Sequence, residues 1–175
     1  MRYAAFLRAV NLGKNRRVTN DRLKALFEKA GAEEVAPFRT SGNVVFEASR
    51  DMARGLEKHH EEALGHEMVI YLRTDKEVTE IAAAEPFPAN DVERSKGKLQ
   101  VVLFEKKPTA AVKKKALALG TDKDRLAFGK RELFWLPSGG YMEAELDRKA
   151  LDQLVGPTTV RTKGTVDLLA AKFFA

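Results

Sequence analysis

Glu85 to Lys98, EPFPANDVERSKGK, is polar and carries two prolines and a glycine, the composition of a connection between ordered segments. What stands on either side of it decides the fold. Upstream, Tyr3 to Val10 is an apolar run ending in a Gly and Asn loop, which predicts a buried strand. Leu23, Leu26, Phe27 and Ala30 then recur at helical spacing, with Asn20 as a cap and Gly31 where a left-handed stop is wanted. Strands over Val35 to Thr40 and Asn43 to Ala48 follow around a tight Ser41-Gly42 turn. Asp51 to Leu64 predicts a second helix with Leu56 and His60 inward and Gly65 as its stop. Met68 to Arg73 reads as a fourth strand, and Thr74 with Glu77 forms a capping box for a short helix.

Downstream the same order begins again. Leu99 to Phe104 is a strand and Thr109 to Leu119 a helix closed by Gly120. Strands at Arg125 to Phe128 and Glu132 to Leu136 make a hairpin around Gly129-Lys130. A helix lies within Glu143 to Val155, a short strand at Thr158 to Arg161, and Val166, Leu169, Ala170 and Phe173 line a last helix. Each half therefore reads β-α-β-β-α-β plus one helix, the ferredoxin-like unit with its antiparallel sheet. The expected fold is α+β: one half over residues 1–84, a linker over 85–98, and a second half over 99–175 with the C-terminal helix. The repeat shows in the order of elements rather than in residue identity, and one continuous α+β sheet is the alternative.

Composition narrows the chemistry. The chain has 175 residues and no cysteine, which excludes disulfides, thiol nucleophiles, iron–sulfur clusters and cysteine zinc sites. No run of eighteen apolar residues occurs, so no membrane-spanning helix is expected. The opening MRYAAFLRAVNLGKN is broken by Arg8 and Asn11 and is not expected to act as a secretory signal; a cytoplasmic protein is expected. The formal charge of +6 leans toward anionic partners. It is unevenly divided, with 14 basic against 16 acidic side chains in residues 1–93 and 17 against 9 in residues 94–175. Arg2, Arg8, Lys14, Arg16 and Arg17 all precede the first acid, Asp21.

Two stretches are richer in donors than their predicted structure needs. One is Arg8-Ala9-Val10-Asn11-Leu12-Gly13-Lys14-Asn15-Arg16-Arg17, a strand end opening into a basic loop and then a helix. Loop amides and cationic side chains there can hold an anion, although the second glycine and Lys-Ser/Thr pair of a P-loop are missing. The other is Arg39-Thr40-Ser41-Gly42-Asn43, which crowds four donor side chains around one turn. A solvated basic loop and a plain hairpin are the simpler readings of the two. His59 and His60 are neighbours on a helix and cannot chelate one metal as an i, i+4 pair would, so no metal site is expected. Ser41 has no nucleophile elbow and no histidine near it in sequence, so no triad can be argued and catalytic residues stay unassigned. The strand aromatics lack the basic-glycine-aromatic consensus of base-stacking sheets, and Lys113-Lys114-Lys115 reads as the wet face of a helix.

The segments AAFLRAVNLGK and FRTSGNVVF resemble the opening strand and the "SGNVVF" hairpin of the bacterial family known as domain of unknown function 1697. Arg8, Asn11 and Gly13 match in the first, and Ser41 to Phe46 in the second. The family's closing "RNW-TV" motif stands here as Arg161-Thr162-Lys163-Gly164-Thr165-Val166, keeping Arg161, Thr165 and Val166 without the Asn and Trp. The resemblance implies a duplicated ferredoxin-like fold and no established activity, cofactor or substrate. It favours Arg8, Asn11, Lys14, Ser41, Asn43 and Arg161 as facing a common pocket; with Arg39 of the donor-rich turn these are the expected ligand-binding residues, and Arg8, Asn11, Lys14, Asn43 and Arg161 are expected to line a cleft between the halves. The expected ligand is anionic: a nucleotide, a phosphorylated metabolite or nucleic acid, with no cofactor. An enzyme acting on a phosphorylated or carboxylated small molecule, and a protein–protein adaptor, are the competing functions.

Overall fold

The computed structural model describes residues 1–9, 18–39, 42–65, 67–140 and 143–175. Among them are eight strands and seven helices, arranged as two four-stranded antiparallel sheets. Two compact units emerge, Met1–Thr79 with Phe173–Ala175 and Glu80–Lys172.

In the first unit the elements run β1 (Arg2–Ala9), α1 (Asn20–Lys29), β2 (Glu33–Phe38), β3 (Asn43–Glu47), α2 (Arg50–Leu64) and β4 (Met68–Thr74), followed by α3 (Asp75–Ala83), which belongs to this unit as far as Thr79. Its sheet order is β2-β3-β1-β4. The apolar β1 is central, hydrogen-bonded to β3 and β4, which is why it reads as a near-continuous hydrophobic run. Tyr3, Ala5 and Leu7 alternate onto the helix side of the sheet. There they pack with Leu23 and Phe27 of α1, Ala53 and Leu56 of α2, and Met68 and Ile70 of β4.

The helix ends follow local rules, with one shift. Thr19, not Asn20, is the cap of α1: its extended backbone lets Oγ1 accept from Arg22 N at 3.2 Å. Asn20, now inside the first turn, has its side chain free for another task described below. Gly31 (φ 98°) and Gly65 (φ 71°) stand in left-handed backbone just beyond α1 and α2, as their positions in the sequence require. The capping box forms, with Glu77 N donating to Thr74 Oγ1 at 3.3 Å and Thr74 N to Glu77 Oε2 at 2.9 Å.

The second unit repeats the plan with β5 (Gln100–Leu103), α5 (Ala110–Leu117), β6 (Asp124–Phe128), β7 (Glu132–Pro137), α6 (Arg148–Val155) and β8 (Thr159–Thr162), followed by α7 (Lys163–Phe173). The order β6-β7-β5-β8 is the first sheet's order, strand for strand. Both are the ferredoxin-like arrangement, so the fold is a duplication. Val102, Phe104, Leu133, Trp135 and Leu151 fill the second core. Buried Asp124 satisfies it, accepting from Trp135 Nε1 at 2.8 Å and from Glu145 N at 3.0 Å. The latter bond holds the chain open ahead of α6, which starts only at Arg148 behind the Asp147 cap.

Within Glu85 to Lys98, residues 89–94 form a further helix, α4 (Ala89–Arg94). Polar composition and two prolines conceal it, yet Pro88 at the cap position is compatible with helix entry. Arg125 pairs with its Asp91 at 2.8 Å and lies over the Phe87 ring, 5.0 Å from its centre. No helix among the described residues is long and apolar enough to cross a membrane.

Candidate functional site

Side chains opposite one another in a sheet share a face. Arg2, Ala4, Phe6 and Arg8 lie on the face of β1 turned away from α1 and α2. Asn43 of β3 and Tyr71 of β4 stand opposite Phe6, Arg73 opposite Ala4, and Val69 opposite Arg8. Ala4, Phe6, Asn43, Tyr71 and Arg73 are buried, and Arg8 is half-buried at the strand's end. One face thus carries Arg8, Asn43, Tyr71 and Arg73 amid apolar neighbours.

The hairpin builds the end of that face. Asn43 Nδ2 donates to the Phe38 carbonyl at 3.1 Å, and Leu7 N donates to the Gly42 carbonyl at 2.8 Å. Arg39 follows β2 with φ 58°, a left-handed backbone that costs a side-chain-bearing residue about 1–2 kcal/mol. Glu34 and Lys98 also adopt positive φ. Asn20, displaced from the cap position, donates through Nδ2 to the Arg39 carbonyl at 2.8 Å and fixes that turn to the start of α1. The exposed Arg39 guanidinium lies 5.8 Å from the centre of the Phe38 ring. Arg8, Arg39 and Asn43 therefore belong to one end of the first sheet. Asn11, Lys14 and Ser41 lie outside the described residues.

Arg161 sits in a different setting. It is buried in β8, where Nη1 donates to Thr159 Oγ1 at 2.8 Å and to the Val160 carbonyl at 2.9 Å. Arg73 is its counterpart in β4: fully buried, with Nη1 donating to the Leu72 carbonyl at 2.9 Å. The threonine after each arginine caps the next helix, since Thr165 N donates to Thr162 Oγ1 at the same 3.3 Å as Glu77 N to Thr74 Oγ1. Sequence reasoning passed over Arg73, although the signal was present. Arg73-Thr74 precedes Glu77-Val78 at the spacing by which Arg161-Thr162 precedes Thr165-Val166.

The second sheet offers the same end with different chemistry. Phe104 N donates to the Arg131 carbonyl at 3.3 Å, the counterpart of the Leu7 to Gly42 bond, and Leu103 pairs with Glu132 as Phe6 pairs with Asn43. Glu105 therefore occupies the position of Arg8, and Glu132 that of Asn43. The Glu132 carboxylate accepts from Lys130 N and Arg131 N, each at 3.0 Å, and closes its own turn.

His60 is buried in α2 against Phe27, with ring centres 4.7 Å apart, and Nδ1 donates to the Leu56 carbonyl at 2.8 Å. Burial lowers its pKa below the usual 6.5, outweighing the raising effect of that hydrogen bond, and the neighbouring His59 lowers it further. It is a neutral core residue. Among the described residues no group of three His, Asp or Glu side chains could hold a metal.

Two sheets of identical strand order, each closed by a buried Arg-Thr joint into a helix, define a duplicated ferredoxin-like α+β protein. Within that class the chain belongs to the family of proteins of unknown function DUF1697, whose model matches residues 1–134. A conserved bacterial protein from Streptococcus pneumoniae, SP0830, has a similar structure. The match has a TM-score of 0.69 and 19% identity, and covers 99% of this chain and 98% of the other. At that identity the likeness concerns the fold. No curated protein matches.

Proposed function

We propose that the protein binds a small phosphate-bearing ligand, a nucleotide or a phosphorylated metabolite, at the end of its first sheet. Arg8 and Arg39 supply the cationic groups, and Asn43 holds the turn that presents them. Asn11, Lys14 and Ser41 join the same proposal from their places in the two donor-rich stretches.

One observation carries the reading. The second half builds the same strand end with Glu105 where the first has Arg8, so the strand end itself does not require an arginine there. A position that the duplicated scaffold fills with either charge is where a ligand can set the choice of residue. By the same logic Arg161, which recurs as Arg73 in an equivalent bond, serves the joint between β8 and α7.

A thermal-shift screen with nucleotides and sugar phosphates tests this. A ligand at 100 times its Kd adds roughly 2.7 kcal/mol to the folded state. The shift is expected to vanish in Arg8→Ala with its ligand-free Tm nearly unchanged. Absence of any shift across the screen, or an equal shift in Arg8→Ala, overturns the reading. Loss of binding in Arg161→Ala without loss of stability moves Arg161 back among the ligand-binding residues.

A further inference from the structure

The five lysines between Glu105 and Asp122 are not explained by the fold or by the proposed ligand. Residues 106–121, KKPTAAVKKKALALGT, contain Lys106, Lys107, Lys113, Lys114 and Lys115 and no acid. In α1 and α2 a lysine is balanced one turn away, Lys24 by Glu28 at 3.8 Å and Lys58 by Glu62 at 3.9 Å. Helix α5 has no acid to do so, and no ion pair neutralises these five lysines among the described residues.

Tertiary contacts gather several of these charges at one end of the second sheet. Arg131 in the β6–β7 turn donates through Nη1 to the Glu105 carbonyl at 3.0 Å, which sets the turn beside the exposed Lys106 and Lys107. Lys113 reaches back over the Phe128 ring at the end of β6, 5.7 Å from its centre. The acids nearby are engaged or few. Glu132 turns its carboxylate onto two turn amides, Glu80 is taken by Lys130 at 2.7 Å, and Glu105 is the exposed one.

We propose that this rim, Lys106, Lys107, Lys113 and Arg131, is a docking surface for the sugar–phosphate backbone of a nucleic acid. Three lysines that no ion pair neutralises among the described residues, with Arg131 of the adjoining turn beside them, match a line of phosphates. They repel one another until such a partner arrives. A membrane surface fits less well, because Leu117 is the one large apolar side chain exposed along α5. The recognition is of backbone charge, so little sequence preference is expected.

The test uses fluorescence anisotropy of the full chain with a labelled mixed-sequence RNA 20-mer, titrated at several salt concentrations. The rim variant Lys106→Glu/Lys107→Glu/Lys113→Glu is compared with Lys24→Glu/Lys58→Glu/Lys123→Glu, which changes the net charge equally elsewhere. The rim variant is expected to bind at least about tenfold more weakly. Its slope of log K against log salt should be shallower by about 2, roughly 0.7 for each lost phosphate contact on a single strand. The control should stay within about twofold of the parent. Equal weakening of both variants, no binding at low salt, or binding to anionic vesicles but not to RNA each overturns the proposal. If the glutamates lower Tm, the matching glutamine variants give the same comparison. Arg8→Ala separates this rim from the ligand site, since it is expected to abolish the small-ligand shift and leave the difference between rim and control intact.

Discussion

The two halves of the chain are one plan executed twice, and their differences sort the residues by purpose. At the joint between last strand and following helix, both halves keep a buried arginine bonded to its neighbour's carbonyl and a threonine cap. At the opposite end of the sheet they part. The first half has Arg8 and a buried Asn43, the second Glu105 and a buried Glu132. Asn43 and Glu132 close their turns by opposite means, an amide donating to a carbonyl and a carboxylate accepting from amides. What the scaffold demands is therefore the joint. What it tolerates in either charge is the strand end, and that freedom is why the strand end is the better place to look for function.

The largest effects should separate the joint from the strand end. Arg73→Ala and Arg161→Ala each strand buried partners and remove packed methylenes, and each is expected to cost about 1–3 kcal/mol or more in urea unfolding. Arg8→Glu, which installs the second half's charge in the first, is expected to cost under about 1 kcal/mol, as a change at a tolerant position does. A cost for Arg8→Glu as large as that for Arg73→Ala would break the comparison. Asn43→Ala comes next, at about 1–2 kcal/mol for the lost bond to the Phe38 carbonyl.

Acid should then weaken the first half in particular, because the buried His60 lies there. His60 has its folded pKa lowered by burial, so the unfolded chain takes up the proton more readily. Its contribution is complete above the ordinary value of 6.5 and is lost as pH falls below it toward the lowered folded value. The urea midpoint should drop as pH falls below about 6.5, and His60→Leu should flatten that part of the drop. A drop of the same size in His60→Leu would assign the acid sensitivity to other groups. The smallest expected effects are Thr74→Ala and Thr162→Ala, about 1 kcal/mol each for a lost helix cap. Matching values for the pair would sharpen the claim that the joints are equivalent. Limited proteolysis adds a test of the division itself, with first cuts expected between Glu85 and Lys98.

Local signals were strong where one residue type does one job. Gly31 and Gly65 stop helices because left-handed backbone excludes most side chains, and Thr74 with Glu77 caps α3 wherever that helix is packed. The alternation of β1 and the spacing of Leu23, Leu26 and Phe27 likewise fix a strand and a helix face without reference to distant residues. These sufficed for the element order, and hence for the duplicated α+β fold. Helix α4 escaped because its six residues, of which Ala89 and Val92 alone are apolar, are too few to show an apolar periodicity, and the Asp91–Arg125 pair that accompanies it joins positions 34 residues apart. The cap of α1 shifted to Thr19 because both Thr19 and Asn20 are good caps, and the tie from Asn20 to the Arg39 carbonyl engages one of them.

The kinship of Arg8 with Glu105, of Asn43 with Glu132 and of Arg73 with Arg161 is a matter of register. Register is set when β1 and β5 take their neighbours, and a slip of one residue would turn every one of these side chains to the other face. A chain read in order carries the residues of both halves but not the alignment between them. That alignment exists only once each sheet has closed, because hydrogen bonds between strands distant in sequence are what bring position 8 and position 105 to equivalent ends of equivalent sheets.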